Sequence, residues 1–299
     1  MSKPRRAYDS PAAVKAAIKR EFDYLWKKYI EAPHPPSIIY HYCREDVFPK
    51  ILATRNLWAS DVLQMNDKRE IVYPLTDVLA PIVSEAGADG NPKYFLKAVK
   101  ADEIIREVWR QFHTHIACLS ADSGIPSQWA AYAKDTGFAV GLNLEALDRW
   151  CVDKGISLFA MTYERSVHAA IIRTFLEKEA QIETNRNLLT HTSARAELRS
   201  KAEVYLVSLA MALKADCWRQ EQEWRILVVE ADRMKSRFPL LTRPDGVHYF
   251  ELPVCTPDLF TELVLGPLCS INEGEARRLL DGAGFPSVRV RRSSCGGSH

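Results

Sequence analysis

The stretch from residue 165 to residue 215 contains neither glycine nor proline, in a chain of 299 residues with 13 glycines and 16 prolines. Glycine and proline are the residues that most often interrupt helices, so their absence over this length favours helical structure. Apolar residues such as Ile171, Phe175 and Leu209 recur on both sides of a polar break around 190–193. This pattern predicts two long helices that form a helical hairpin.

The segments on either side of this stretch have the composition of β-strands. Residues that are β-branched or aromatic cluster at 37–42, 57–60, 115–120, 137–142 and 156–163, and again at 223–229, 248–252, 262–265 and 287–290. Helical segments are predicted at 11–31, 45–55, 70–85, 92–113, 127–134 and 272–282. The mixture predicts an α+β fold with an N-terminal helix in 1–36, a single catalytic-like domain over 37–291 with a helical hairpin insertion at 165–215, and a disordered tail at 292–299.

Charge and motif content exclude several classes of protein. Forty Lys and Arg against 38 Asp and Glu give a net charge of +2, which is too balanced for a general polyanion binder. No apolar run approaches the roughly 18 residues of a membrane span, so we expect a cytoplasmic protein that does not bind membranes. The seven cysteines are scattered, and no nucleotide-loop or zinc-protease motif is present. No metal site is predicted.

Two segments place polar or aromatic side chains beside predicted strands. His41 lies between Tyr40 and Tyr42 in an apolar strand, where it is either a catalytic group or a core histidine bonded to a backbone carbonyl. After the strand that ends at Ser120, Trp129 and Tyr132 share one face of a short helix. This spacing suits a core contact as well as a platform for a ligand.

A third segment, 221–225, carries two carboxylates and an arginine. If the chain is extended from Glu221, then Glu221, Glu223 and Arg225 share one face of a strand and Trp224 points to the other. The two carboxylates would lie about 7 Å apart. The alternative is an edge strand with a surface Glu–Arg pair worth less than about 1 kcal/mol.

Several short motifs occur in a fixed order along residues 38–266. They are Tyr40-His41-Tyr42, Leu57-Trp58-Ala59-Ser60, Asn66-Asp67 with Glu70, Cys118-Leu119-Ser120, Gln128-Trp129-Ala130-Ala131-Tyr132-Ala133, Lys214 through Trp218, Glu223-Trp224-Arg225 and Leu265-Gly266. Together they resemble a bacterial family of unknown function, DUF2971. The pattern of that family is in turn similar to the ADP-ribosyltransferase fold, including the DNA-modifying toxins of toxin–antitoxin systems.

The resemblance implies an ADP-ribosyltransferase-like split β-sheet core with helical insertions and a site that takes NAD as substrate. In this site His41, Tyr132 (or Ser120) and Glu223 would converge on one cleft. Glu221-Gln222-Glu223 is similar to the E-x-E variant, in which the second Glu is catalytic. The residues implied in NAD binding are His41, Tyr42, Ser120, Trp129 and Tyr132.

The same resemblance implies a role for each catalytic candidate. Glu223 would stabilise the positive charge that develops on the ribose as the bond to nicotinamide breaks. His41 would hydrogen-bond a ribose hydroxyl or the nicotinamide amide, and Tyr132 would stack on the nicotinamide ring. Glu221 would orient or deprotonate the acceptor nucleophile.

The function expected from this resemblance is that of an NAD-consuming enzyme, an ADP-ribosyltransferase or an NAD glycohydrolase, acting as a bacterial toxin or phage-defence effector. Its expected partners are NAD, a nucleic-acid or protein acceptor, and an antitoxin. One alternative is a nuclease-type effector that uses His41, Glu223 and Arg225. Another is a non-catalytic module for nucleotide sensing or interaction, because a fold does not fix a function.

Overall fold

The computed structural model of the chain describes residues 11–32, 34–64, 72–88, 113–183, 192, 202, 204–206, 208–230 and 237–295. The chain divides into two compact units. A helical unit comprises Met1–Glu31, Asp67–Gln111 and Thr162–Asp216, and a sheet unit comprises Ala32–Asn66, Phe112–Met161 and Cys217–His299. Helices combined with a large, mostly antiparallel sheet confirm the α+β class. The domain bounds given by the sequence stay a prediction.

Seven α-helices are described, and most of them fall where helices were predicted. They are α1 (Pro11–Leu25), α2 (Phe48–Thr54), α3 (Ala80–Ala88), α4 (Pro126–Gln128), α5 (Leu144–Lys154), α6 (Arg165–Glu183) and α7 (Glu273–Gly282). Short π-helical segments at Trp26–Ile30, Pro74–Leu79 and Trp129–Ala133 extend α1, precede α3 and extend α4. No helix in the described ranges has both the length and the apolar character needed to cross a membrane.

Helix α5 was not predicted, although its end signals are present in the sequence. The Asn143 side chain accepts a hydrogen bond from the Ala146 N–H at 2.9 Å and caps the first turn. Gly155 ends the helix in the left-handed region at a φ of 63°. Asparagine before and glycine after an apolar-periodic segment are the usual marks of a helix.

The helical unit contains α6, which confirms the first helix predicted in the stretch without glycine or proline. Helix α1 packs against α6, and the Phe22 ring stacks on Tyr205 with centroids 4.6 Å apart. The buried His168 donates from Nε2 to the Thr162 carbonyl at 2.9 Å. The predicted break at 190–193 lies outside the described residues except for residue 192, as does the predicted helix at 92–113 except for its last residue.

Ten strands are described in the sheet unit. They are β1 (Ile38–Cys43), β2 (Leu57–Asp61), β3 (His113–Ser120), β4 (Phe138–Asn143), β5 (Ser157–Ala160), β6 (Glu223–Glu230), β7 (Leu240–Thr242), β8 (His248–Leu252), β9 (Phe260–Leu265) and β10 (Arg289–Arg292). Their order is β10-β9-β4-β1-β3-β2-β8-β7, and β6 lies between β3 and β5. Among the described pairs only β9 and β10 run parallel.

The sheet divides at β3. One edge of β3 pairs with β6 over its whole length, from His113 opposite Glu230 to Ser120 opposite Glu223. The other edge is shared, because β2 pairs with it at residues 115 and 116, whereas β1 pairs with it only where Tyr40 lies opposite Ser120. Strands β1 and β2 therefore separate from each other along β3.

The two faces of the sheet differ in chemistry because side chains alternate along each strand. One face, here called the core face, carries the main apolar cluster, which includes Ile39, Leu119, Val140 and Trp224. The opposite face, here called the polar face, carries Tyr40, Tyr42, Ser120, Glu223 and Glu262. A smaller cluster of Tyr40, Tyr42, Trp129, Ala133, Ala139 and Val264 packs on the polar face.

The predicted tail begins inside the structured part of the chain. Arg292 is the last residue of β10, and the backbone N–H of Ser293 donates to the Leu265 carbonyl at 2.8 Å. Cys295 donates from its thiol to the Gly124 carbonyl at 2.6 Å. Residues 296–299 lie outside the described residues.

Candidate functional site

The turn before β6 differs from the extended chain assumed in the sequence analysis. Glu221 ends a 3₁₀ turn, Asp216–Glu221, and Gln222 has a φ of 45° in the left-handed region. Strand β6 begins only at Glu223. The premise that Glu221 and Glu223 alternate on one extended strand is therefore wrong, because neither Glu221 nor Gln222 is in the extended conformation.

Hydrogen bonds from the end of β3 hold this turn in place. The Ser120 hydroxyl is buried and donates to the Glu221 carbonyl at 2.8 Å. The backbone N–H of Ala121 donates to the Gln222 carbonyl at 2.9 Å. A left-handed conformation costs energy for a residue other than glycine, and these two bonds offset part of that cost.

Glu223 and Arg225 form an ion pair that is buried in the protein. Their side chains are 5% and 2% exposed, and Arg225 donates from Nε to Glu223 Oε1 at 2.6 Å and from Nη2 to Oε2 at 3.3 Å. The prediction that these two side chains share a face and Trp224 points to the other is confirmed, because Trp224 belongs to the apolar cluster of the core face. The alternative of a surface pair is wrong, because neither side chain is at the surface.

His41 lies on the other side of the sheet from Glu223. Its neighbours along β1, Ile39 and Cys43, belong to the core-face cluster, and His41 pairs with Val140 of the same cluster. Tyr40 pairs with Ser120, which pairs with Glu223, so these three share the polar face. His41 and Glu223 are thus not brought to one cleft.

The partner of His41 is the Cys118 carbonyl, 3.1 Å from Nδ1. A carbonyl only accepts hydrogen bonds, so Nδ1 carries the proton. Burial lowers the pKa of His41, an effect that the bond to Cys118 only partly opposes. This arrangement is the core histidine that the sequence analysis kept as its alternative.

The aromatic candidates occupy two different environments. Trp129 is fully buried, donates from Nε1 to the Ser123 carbonyl at 2.9 Å, and meets the Tyr42 ring edge-to-face with centroids 4.9 Å apart. Tyr42 donates from its hydroxyl to the Asp122 carbonyl at 2.8 Å, and burial raises its pKa. Tyr132, by contrast, is 46% exposed. Trp129 and Tyr42 are packing residues here, and Tyr132 is the accessible ring.

A row of polar residues crosses the polar face from Glu223 to the edge strand. The register places Glu223, Ser120 and Tyr40 opposite one another on β6, β3 and β1. It continues through Gly141 and Glu262 to Arg289 on β4, β9 and β10. Gly141 suits the row because a Cβ there would lie 3.0 Å from the Tyr40 ring.

Glu262 was missed by the sequence analysis and is the second buried carboxylate of this row. Its side chain is fully buried and accepts hydrogen bonds from the Tyr40 hydroxyl at 2.7 Å and from Nε of Arg289 at 2.7 Å and of Arg291 at 3.1 Å. Burial alone would raise the pKa of Glu262, but the bonds from Arg291 and Tyr40 outweigh it and hold the pKa below its ordinary range. The sequence signal that could have identified Glu262 is the presence of a charged residue inside the alternating strand 260–265.

Comparison with protein families adds one finding. Residues 128–226 match the family described as protein of unknown function (DUF2971). The match to DUF2971 begins at Gln128, before Trp129 and Tyr132, and ends just after Glu223 and Arg225. His41, Ser120 and Glu262 lie outside it. Comparison with curated proteins and with solved structures gave no match.

The described residues offer no ready metal centre. Within those ranges, no three side chains of His, Cys, Asp or Glu are grouped in a way that could hold a metal ion. The motif residues Asn66, Asp67 and Glu70 lie outside the described part of the chain. The residues described above on the polar face carry carboxylates, guanidiniums and hydroxyls.

Proposed function

We propose that the protein is an NAD-consuming enzyme, an ADP-ribosyltransferase or an NAD glycohydrolase, whose catalytic carboxylate is Glu223. The observation that carries the proposal is the buried Glu223–Arg225 pair directly after the left-handed residue Gln222. A buried ion pair is a poor source of stability, because desolvation of both charges offsets their attraction. Two costly features at one turn favour a functional role over a purely structural one.

The environment of Glu223 suits the chemistry of the bond between ribose and nicotinamide. When this bond breaks, its electron pair leaves with the nicotinamide nitrogen and positive charge develops on the ribose. An ionised carboxylate in a water-poor setting stabilises such a charge more strongly than it would in water. Arg225 donates to both oxygens of the Glu223 carboxylate and fixes its plane. A carboxylate has about four lone-pair positions, and one of them would accept a bond from a ribose hydroxyl.

The second half of the reaction needs a nucleophile. Water or an acceptor hydroxyl or amine attacks the ribose carbon, forms the new bond and gives its proton to a carboxylate. In this proposal Glu221, at the end of the 3₁₀ turn, is the base, and transfer to a nucleic-acid or protein acceptor is the activity of a toxin or phage-defence effector. An antitoxin would then be needed to protect the producing cell.

The roles of the remaining candidates change with their positions. Ser120 is a positioning residue, because its hydroxyl holds the Glu221 carbonyl. Tyr132 is the candidate to stack on nicotinamide, because its ring is exposed in the segment that matches DUF2971. His41 bonds a backbone carbonyl on the core face and takes no catalytic role. The division of the sheet at β3 is compatible with an ADP-ribosyltransferase-like split core.

The test is release of nicotinamide from NAD by the purified protein, with and without added nucleic acid. Glu223→Gln should lower the rate by about 10²–10³, the effect of removing one preorganised electrostatic group. Glu230→Gln is a matched control, because Glu230 lies at the other end of β6, is also buried and pairs with Arg237 at 2.9 Å. Its rate should equal that of the wild type.

Two other results would favour one of the alternative functions over this proposal. Cleavage of RNA or DNA without nicotinamide release would favour the nuclease-type effector, although His41 and Glu223 lie on opposite faces. Calorimetric binding of NAD without turnover would favour a nucleotide-sensing module. Equal rates for Glu223→Gln and the wild type would reject Glu223 as the catalytic group.

A further inference from the structure

We infer that Arg289 and Arg291 form a binding site for a phosphate group, as carried by a nucleotide or a nucleic acid, at the β10 edge of the sheet. This site lies on the same face as Glu223. The two are five strand spacings apart, or about 24 Å at the usual strand spacing of about 4.8 Å. The inference does not depend on the reaction proposed for Glu223.

The two guanidinium groups meet at one oxygen atom. Arg289 and Arg291 alternate along β10, so their side chains leave the same face of the strand. Nε of Arg289 lies 2.7 Å from Glu262 Oε1, and Nε of Arg291 lies 3.1 Å from the same atom. Arg291 is also fixed through Nη2, which donates to the Ser123 hydroxyl at 2.5 Å.

The carboxylate beneath them has its bonding capacity fully used. Oε1 accepts from both arginines, and Oε2 accepts from the Tyr40 hydroxyl at 2.7 Å and from Arg291 Nη2 at 3.1 Å. Glu262 is 0% exposed. It can therefore anchor the two guanidiniums from below but cannot neutralise both of their charges.

The outer side of this cluster carries an uncompensated positive charge. Two guanidiniums face one carboxylate, and among the described residues no second carboxylate lies within ion-pair distance of either arginine. The side chains of Arg289 and Arg291 are 66% and 38% exposed. Within the same part of the chain, Nη1 of neither arginine makes a hydrogen bond.

Arg292, which follows Arg291 on β10, has a purely structural role and serves as a comparison. Arg292 donates from Nη1 to the carbonyls of Gly266 and Cys269, both at 3.1 Å, and from Nη2 to that of Ile271 at 2.8 Å. Its guanidinium is thus used to fix the loop after β9. In the part of the chain that the structure describes, Arg289 makes no such bond to a loop.

A phosphate group matches the geometry and charge that remain. It has several oxygens that can each accept from a guanidinium, and arginine binds it through two parallel hydrogen bonds. Because Glu262 already holds both side chains, little side-chain freedom is lost when the anion binds. The two guanidiniums would then lie between two negative groups, with the buried Glu262 carboxylate below them and the phosphate above them.

Calorimetric titration with inorganic phosphate, adenosine 5′-monophosphate and a single-stranded oligonucleotide tests this site, with adenosine as the probe without phosphate. Arg289→Gln should weaken binding of the phosphate probes at least tenfold, and Arg289→Lys should weaken it less. Arg44→Gln is the matched control, because Arg44 is similarly exposed but already paired with Asp46 at 2.8 Å. Its affinity should match the wild type.

The probes separate the sources of the phosphate. Equal affinity for inorganic phosphate and the nucleotide indicates free phosphate, and tighter binding of the nucleotide or the oligonucleotide indicates those ligands. The inference is overturned if the wild type binds none of the three, if Arg289→Gln binds as the wild type does, or if acetate competes as well as phosphate. Nicotinamide release should be unaltered by Arg289→Gln, so this result is independent of the test of Glu223.

Discussion

The polar face carries two buried carboxylates, Glu223 and Glu262, each of which contacts arginine. Their surroundings differ, and the difference suits them to different roles. Glu223 is paired with one arginine, and both side chains are almost completely buried. Glu262 faces two arginines and a tyrosine hydroxyl, and its arginines reach solvent. The first centre is closed, whereas the second is open and has two guanidiniums for one carboxylate. A closed centre suits an electrostatic role in catalysis, and an open one suits capture of an anion.

The largest expected effect is on the free energy of unfolding, which should fall more for the buried centre than for the open one. Arg225→Met should lower the free energy of unfolding by about 3–5 kcal/mol, because it leaves a buried carboxylate without its guanidinium. Arg289→Met should lower it by less than about 1 kcal/mol, because Arg289 is largely exposed and Arg291 and Tyr40 still bind Glu262. Urea denaturation of both variants measures the difference. Similar losses would show that the centres are energetically alike.

The next effect concerns the pH dependence of the open centre. Glu262→Gln should lower the free energy of unfolding by about 2–4 kcal/mol at pH 7, because two guanidiniums lose their carboxylate. The pKa of Glu262 is held below its ordinary range, so the unfolded chain takes up this proton first as the pH falls. The stability difference between wild type and variant should therefore be complete above about pH 4.5 and shrink below it. A difference that is constant from pH 7 to pH 3 would contradict this assignment.

A smaller effect tests whether the closed centre acts as a unit. Glu223→Gln combined with Arg225→Met should cost about 2 kcal/mol less than the sum of the two single substitutions, because the double variant removes both charges of the pair together. The double-mutant cycle is measured by the same denaturation. Additive costs would show that the pair is not coupled, and would weaken the argument that Arg225 holds the Glu223 carboxylate.

The smallest effect compares two tyrosines on β1. Tyr40→Phe removes a hydrogen bond to a carboxylate and should cost about 1.5–3 kcal/mol, whereas Tyr42→Phe removes one to a carbonyl and should cost about 0.5–1.5 kcal/mol. The cost of Tyr40→Phe should fall when Glu262 is protonated at low pH, and that of Tyr42→Phe should not. Thermal unfolding at pH 7 and pH 3.5 distinguishes the two. Identical pH dependence would indicate that Tyr40 does not stabilise the charged form of Glu262.

The candidate site could be predicted only where its residues are close in the sequence. Alternation along β6 was enough to place Glu223 and Arg225 on one face, because it depends on the backbone of a single strand. The left-handed residue Gln222 could not be predicted, because it depends on bonds from Ser120 and Ala121 at the end of another strand. That His41 and Glu223 lie on opposite faces could not be predicted for the same reason, since register and neighbouring strands decide which face is polar.

The sequence by itself determined the local structure of this protein: the helices α1 and α6, most of the strands, and the alternation that buries Trp224 and pairs Glu223 with Arg225. Only the tertiary structure decided which strands are neighbours and therefore which distant side chains meet. The bond between Tyr40 and Glu262 joins positions 222 residues apart. Periodicity and end signals act over a few residues, whereas strand order and register depend on how the whole chain buries its apolar surface. The open arginine centre on β10 exists only because that long-range packing sets β9 and β10 side by side.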